Sequence, residues 1–178
     1  MLRAVRITHW ITRKASFIIR FIFPERGWPA REKRLMSFRA PIKVCFSDID
    51  NAGIVYYPRF VHYFHLAMEE FFAAEIGIEY AEVLHKCNLS LPTVHLETNF
   101  RRRLRYGDRI SIEVRVIRVG QSSITWGYRG YRGDDEEMVV EGQNVTVCVK
   151  TDTFEKIEVP GWLRQGLTSY MERFDSHT

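Results

Sequence analysis

The sequence predicts an α+β domain in which one long apolar helix lies against a single antiparallel sheet of about five strands. Three observations predict it. Phe60, Phe64, Ala67, Met68 and Phe71 recur at helical spacing and form a wide apolar stripe. Before and after that stripe, apolar and polar residues alternate with period two. The later alternating runs are separated by short turn signals, so their strands form hairpins and pair antiparallel.

Each element follows in order. Ile42, Val44 and Phe46 alternate with Lys43, Cys45 and Ser47, the pattern of a half-buried strand. A loop, Asp48 to Gly53, leads to the helix. Pro58 suits the first helical position, where a missing N–H costs nothing. Gly77 suits the left-handed residue that closes a helix. The helix is therefore expected over residues 58–76, roughly 28 Å at 1.5 Å per residue. Val94, Leu96, Thr98 and Phe100 then alternate with His95, Glu97 and Asn99. Gly107-Asp108 turns the chain into Ile110, Ile112, Val114 and Val116, which share one face. Gly120 turns it into Ser123–Arg132, and Gly133-Asp134-Asp135 into Met138–Lys150. Trp162–Phe174 is expected as a short C-terminal helix.

The 178 residues suit one domain with a short appendage, and 46% hydrophobic with 27% charged residues is ordinary globular composition. Disordered, collagenous and disulfide-stapled classes are excluded. Cys45, Cys87 and Cys148 are an odd count without CxxC or CxxH spacing, so neither a zinc site nor a disulfide framework is expected. Cys45 and Cys148 fall in strand patterns and are expected in the core. No run of about 18 apolar residues is long enough to span a membrane.

Charge divides the chain. Residues 1–35 hold nine Lys or Arg and two acids, an excess of +7, which leaves the rest at −3 against a total of +4. The high isoelectric point thus belongs to a leader and is no argument for nucleic acid. Residues 1–35 read as a basic leader or a mis-assigned start, and 36–178 as the domain. The leader's Arg-rich, acid-poor composition fits an organellar transit peptide. Ile11, Phe17, Ile18, Phe21 and Ile22 also fit the apolar face of a membrane-surface helix. A start at Met36 is the plain alternative, because the text from there runs straight into a strand. A cytoplasmic location is expected unless residues 1–35 are a true transit peptide.

Chemistry concentrates in Phe46–Phe60, FSDIDNAGIVYYPRF. Asp50 lies in a tight loop before a helix start, where unpaired backbone N–H groups carry partial positive charge. A carbonyl oxygen held there is stabilised as it becomes an oxyanion, while a carboxylate attacks the carbon or activates water. The small residues Asn51-Ala52-Gly53 let a substrate approach the backbone. Helix capping is the structural alternative for such an Asp. Asp50, however, stands too far before Pro58 to cap that helix.

The string DIDNAGIVYYPRFVHYF resembles the signature of the 4-hydroxybenzoyl-CoA thioesterase family and the related Tol-Pal-associated acyl-CoA thioesterases. The likeness runs from about Pro41 to Leu167, through GDRISIEVRV and the IEVP of Ile157–Pro160. It implies a hotdog fold, a long central helix wrapped by an antiparallel sheet. It further implies hydrolysis of acyl-CoA thioesters without a cofactor, in homodimers or homotetramers with sites at the subunit interface. By position, the resemblance makes Asp50 the catalytic carboxylate and the Tyr57 backbone N–H the oxyanion donor. Gly53 turns the loop and Asp48 holds it. Tol-Pal relatives often carry His where this chain has Tyr57, which favours a hydroxybenzoyl-like or general aryl/acyl branch. The family's basic run for the CoA phosphates is reduced to Arg118, with Arg102 beside Arg101, Arg103 and Lys150 as further phosphate partners.

Other groupings have plainer readings. His62, His65 and Glu69 share a helix side at a spacing that can hold a metal, or form a polar face beside the substrate pocket or a partner subunit. His62 is counted with the substrate-binding set, and no metal is expected. Glu69 or Glu70 could carry the acid in place of Asp50, as in some wider relatives. Arg101–Arg105 reads as a solvated strand end, not a nucleic-acid patch. Beside the thioesterase, a non-catalytic acyl-CoA-binding or interaction module and a hydratase using His62 or His65 stay open.

Overall fold

A computed structural model describes residues 37–133 and 136–175, with side chains to residue 173, all within the compact unit Leu35–Thr178. The expectations for the leader, and for Asp134-Asp135 as turn residues, fall outside the described residues.

Strand β1 (Arg39–Lys43) is followed by a 3₁₀ turn (Phe46–Asp48) and helix α1 (Pro58–Phe71). A π-helical segment, Phe72–Ile76, extends α1 to Gly77, whose φ of 79° ends it as expected. Helix α2 (Tyr80–His85) and the short β2 (Leu89–Ser90) lead into four longer strands. These are β3 (Thr93–Phe100), β4 (Arg109–Val119), β5 (Ser123–Arg132) and β6 (Glu137–Val147). The short β7 (Val149–Lys150) pairs with β2, and helix α3 (Gly161–Asp175) follows. The main sheet has five antiparallel strands in the order β1-β4-β5-β6-β3.

The sheet wraps α1. Phe60, Tyr63, Phe64, Ala67, Met68 and Phe71 are buried along one side of the helix. Ile110, Ile112, Val114 and Val116 of β4 and Trp126 and Tyr128 of β5 are buried opposite. The Phe64 ring stacks on Tyr128 at 4.6 Å, and Phe71 meets Trp126 edge-on at 5.7 Å. Burying one such ring stabilises the fold by about 1.5–3 kcal/mol. Trp126 places its indole N–H on Thr146 Oγ1 at 3.0 Å, so its burial leaves no unpaired donor. Gly142 of β6 is what lets helix and sheet close. A Cβ there would meet the Phe64 ring and the Glu97 carbonyl oxygen, each at 2.8 Å. Tyr170 of α3 ties the sheet's other side, donating to the Val114 carbonyl at 2.8 Å and accepting from the Phe38 N–H at 2.9 Å.

Three expectations change. The first strand ends at Lys43, and Phe46, expected to share its buried face, is 79% exposed. The Asp48 side chain captures the Cys45 N–H and starts the 3₁₀ turn, which rotates Phe46 outward. Cys45 is exposed for the same reason, whereas Cys148 is buried as expected. Strand β3 lies at the sheet edge with its apolar side uncovered, Val94 at 62%, Leu96 at 41% and Phe100 at 50% exposure. Among the described residues no helix is long and apolar enough to cross a membrane.

Candidate active site

The loop between β1 and α1 is built around Asp48. Its Oδ2 accepts the Cys45 N–H at 2.8 Å and the Tyr63 hydroxyl at 2.9 Å, and its Oδ1 lies 3.5 Å from Arg59 Nε. Its carbonyl accepts the Tyr56 N–H at 2.8 Å. One buried residue thus ties the loop to the residue before Tyr57 and to α1 itself. Burial, with the Asp48 carboxylate second, holds the Tyr63 phenol well above its usual range.

Beyond Asp48 the chain makes a small hairpin. Ile49 bridges Val55, and the Val55 N–H donates to the Leu104 carbonyl at 2.9 Å, anchoring the hairpin beside the turn before β4. Asp50 sits near its tip. Its N–H donates to the Ile54 carbonyl and its carbonyl accepts the Gly53 N–H, both at 3.0 Å. Gly53 has a φ of 73°, a conformation that suits glycine. Asp50 Oδ1 accepts the Ala52 N–H at 2.8 Å, an Asx turn that orients the carboxylate, while Oδ2 has no partner among the described residues. Asp50 opposes Ile54, three residues before Tyr57, so a strand spacing of ~5 Å and three extended residues of ~3.3 Å put its backbone at most roughly 15 Å from that of Tyr57.

Tyr57 precedes the first residue of α1 and already has helical dihedrals, φ −51° and ψ −35°. The Arg59 N–H donates to Tyr56 at 2.8 Å and the Phe60 N–H to Tyr57 at 3.2 Å, while Pro58 has no N–H. The Tyr57 N–H has no acceptor among the described residues. It is the donor left over at the positive end of the helix.

Two cavities flank this point. One, of about 340 Å³, is lined by Tyr57, Phe60, Phe100 and Arg101, Arg102 and Arg103. Arg102 Nε bonds Glu137 at 3.0 Å, and Arg101 pairs with Glu141. Arg103 has no acidic partner among the described residues. The other cavity, of about 400 Å³, starts at Pro58 and is lined by His62, Phe64, His65, Leu96 and Tyr128. His65 Nε2 lies 2.9 Å from Glu69 Oε1, and its ring meets Tyr80 edge-on at 5.7 Å.

The structure sets Tyr57 and Arg102 on one cavity and His62 on the neighbouring one, while Asp50 and Gly53 sit in the hairpin that leads to the helix start and line neither cavity. Arg118 stands apart from all of these. It lies near the far end of β4, ten residues or roughly 30 Å of strand from the turn that touches the loop. Lys150 lies on β7, bonded to Glu155 at 2.6 Å. Among the described residues no three His, Cys, Asp or Glu side chains converge as metal ligands. Tyr63 and Arg59 are the participants that the sequence pattern hid. The signal available for Tyr63 was a hydroxyl inside an apolar stripe, since a buried tyrosine needs a partner for its O–H.

In architecture the molecule resembles a 1,4-dihydroxy-2-naphthoyl-CoA thioesterase from Synechocystis, with TM-score 0.68 and 20% identity over 75% of this chain and 96% of that one. It also resembles a gentisyl-coenzyme A thioesterase, with TM-score 0.67 and 22% identity over 73% and 99%. The fold is the hotdog fold, a central helix wrapped by an antiparallel sheet. Residues 44–167 match the model of the thioesterase-like superfamily, and the chain belongs to that superfamily. A curated relative, the 1,4-dihydroxy-2-naphthoyl-CoA hydrolase of Synechococcus elongatus, is 29% identical over 123 residues, covering 68% of this chain and 88% of the relative.

Proposed function

We propose that the protein is an acyl-CoA thioesterase of the 4-hydroxybenzoyl-CoA thioesterase-like branch, hydrolysing an aryl- or fatty-acyl-CoA thioester to the free acid and CoA. Relatives named for 1,4-dihydroxy-2-naphthoyl-CoA and gentisyl-CoA favour the aryl members of that range. The observation that carries the reading is the Tyr57 N–H, unspent at the start of α1 beside a hairpin whose tip bears a half-open carboxylate.

The thioester oxygen accepts the Tyr57 N–H, and the helix end stabilises charge as the oxygen becomes an oxyanion. Asp50 supports one of two routes. It adds to the carbonyl carbon, expelling CoA thiolate and leaving a mixed anhydride that water cleaves, or it takes a proton from water as that water adds. In both, the C–S bond breaks, the acyl carbon gains oxygen and CoA leaves to be protonated. The phosphate-bearing arm of CoA runs into the cavity lined by Arg102 and its neighbours, where guanidinium groups match phosphate. His62 contacts the acyl arm from the other cavity. The catalytic domain is residues 36–178, with 1–35 a basic leader or a mis-assigned start, and it acts in the cytoplasm unless 1–35 is a true transit peptide. Two copies join edge to edge through β3, whose apolar side is open.

A thiol-release assay over aryl and short to long acyl-CoA esters tests the reading. Asp50→Asn is expected to lower turnover by about 10²–10⁴ with circular dichroism and melting unchanged. Full activity in that variant, or wild-type binding without release of CoA, overturns it.

A further inference from the structure

We propose that Phe46 and Tyr106, with Lys43, Arg105 and Arg109 around them, dock the domain on the surface of an anionic lipid bilayer. The inference goes beyond the thioesterase reading and holds whether or not the chain turns over a thioester.

The loop after β1 and the turn Arg105–Asp108 form one tip. The Gly107 N–H donates to the Val44 carbonyl at 3.1 Å, and the Val44 N–H donates to the Asp108 carbonyl at 2.9 Å. That clamp sets the Phe46 ring edge-on to the Tyr106 ring, with centroids 5.9 Å apart. Both rings stay open, at 79% and 63% exposure. A ring is the largest apolar surface a side chain can bury, and here two forgo burial side by side. Neither lines the two cavities beside the helix start.

The charge around the rings has one sign. Lys43 stands directly opposite Arg109 in the β1–β4 ladder, a like-charge pairing that weakens a strand pair. Arg105 adjoins Tyr106 in the turn, and neither Arg105 nor Arg109 has an acidic partner among the described residues. The acid of the turn is already engaged. Asp108 Oδ2 accepts the Arg105 N–H at 2.9 Å and lies 3.5 Å from Arg132 Nη1. Nearby Arg101, Arg102 and Arg132, by contrast, pair with Glu141 or Glu137. Residues 36–178 carry −3 in total, so the positive tip is a local feature and not a reflection of overall charge.

These features select a bilayer among anionic partners. Two rings offer at most about 500 Å². A stable protein interface needs roughly 800 Å² from each side. A nucleic acid stacks its bases on open ring faces, whereas here one ring's edge is set against the other's face. A bilayer needs neither area nor a shaped hollow. Aromatic rings settle at the headgroup level, and cations beside them meet the negative lipids.

Co-sedimentation of the full chain, titrated with vesicles of phosphatidylcholine alone or mixed with phosphatidylserine, tests the proposal. Binding is expected to the mixed vesicles, to fade as salt rises, and to be at least about tenfold weaker on phosphatidylcholine alone. Phe46→Ser with Tyr106→Ser, and separately Arg105→Glu with Arg109→Glu, are each expected to lower the partition coefficient at least about tenfold. Melting stays unchanged, because all four side chains are exposed. Residues 1–35 are present in every protein compared, so a loss reads the tip and not the leader. Free CoA is expected to leave binding intact. No binding by wild type, or unchanged partition in either double variant, overturns the proposal. Displacement by CoA also overturns it, by assigning the cations to the substrate's phosphates. If one double variant does not fold, the other decides. A wild type that ignores vesicles but loses mass in light scattering on substitution of the rings makes the tip a protein contact instead.

Discussion

The Tyr63 hydroxyl donates to Asp48 Oδ2 at 2.9 Å, both groups buried beneath the loop that carries Asp50. Because the Asp48 carbonyl also holds the Tyr56 N–H, this bond couples the middle of α1 to the residue before Tyr57. Tyr63→Phe keeps the ring and removes one donor from a buried carboxylate, at a cost of about 1–3 kcal/mol. Turnover is expected to drop about tenfold with little change in KM, since the loop is mispositioned while both cavities stay intact. Steady-state kinetics with urea unfolding check this, and a rise in KM alone would show that Tyr63 acts on binding.

The open apolar side of β3 predicts self-association. Replacing Val94 and Leu96 with lysine is expected to convert a dimer to a monomer in light scattering, with little loss of monomer stability because neither side chain is buried. A wild-type monomer at micromolar concentration would remove the edge-to-edge pairing.

Thiol reactivity separates the cysteines. Burial pushes the Cys148 thiol up to about 11, opposed by Arg164, whereas Cys45 and Cys87 are exposed. Ellman's reagent near neutral pH is expected to modify two thiols quickly and the third only after denaturation. Three fast thiols would contradict the packing of Cys148.

Alkali weakens the fold through its tyrosines. Burial pushes the Tyr80 and Tyr170 phenols up to about 12 from an ordinary 10, with Glu69 adding to the effect at Tyr80. The native state therefore holds these protons where the unfolded chain has lost them. Their contribution is complete below pH 10 and declines between pH 10 and 12. Melting temperature is expected to fall across that window as tyrosinate absorbance appears, and a flat profile would refute the coupling.

Much of this molecule is legible in its sequence, for identifiable reasons. The stripe from Phe60 to Phe71 and the alternation in β4 and β5 read directly because each has a core face that burial keeps apolar. Phe46 misleads because the hydrogen bond from the Cys45 N–H to the Asp48 side chain outweighs the period-two pattern. Strand β3 alternates like a half-buried strand, yet among the described residues its apolar side is only partly covered, Phe60 meeting Phe100 while Val94 stays 62% exposed. In the candidate site, the tight loop before the helix is legible from its small residues and Gly53, but its closure into a hairpin by the Ile49–Val55 bridge is not. The bond from Tyr63 needs tertiary structure, because a tyrosine in an apolar stripe looks like any other core ring. The separation of Arg118 from Arg102 depends on strand direction and length, which spacing alone does not give.

Gly142 gives the proposed active site one of its dimensions without offering any atom to the chemistry. The bare Cα of β6 sets how deeply the Phe64 ring sinks toward the sheet, and with it the height of the helix whose first residues border the candidate site. The clearance between these two layers is part of that site's geometry, fixed from behind by a missing methyl group.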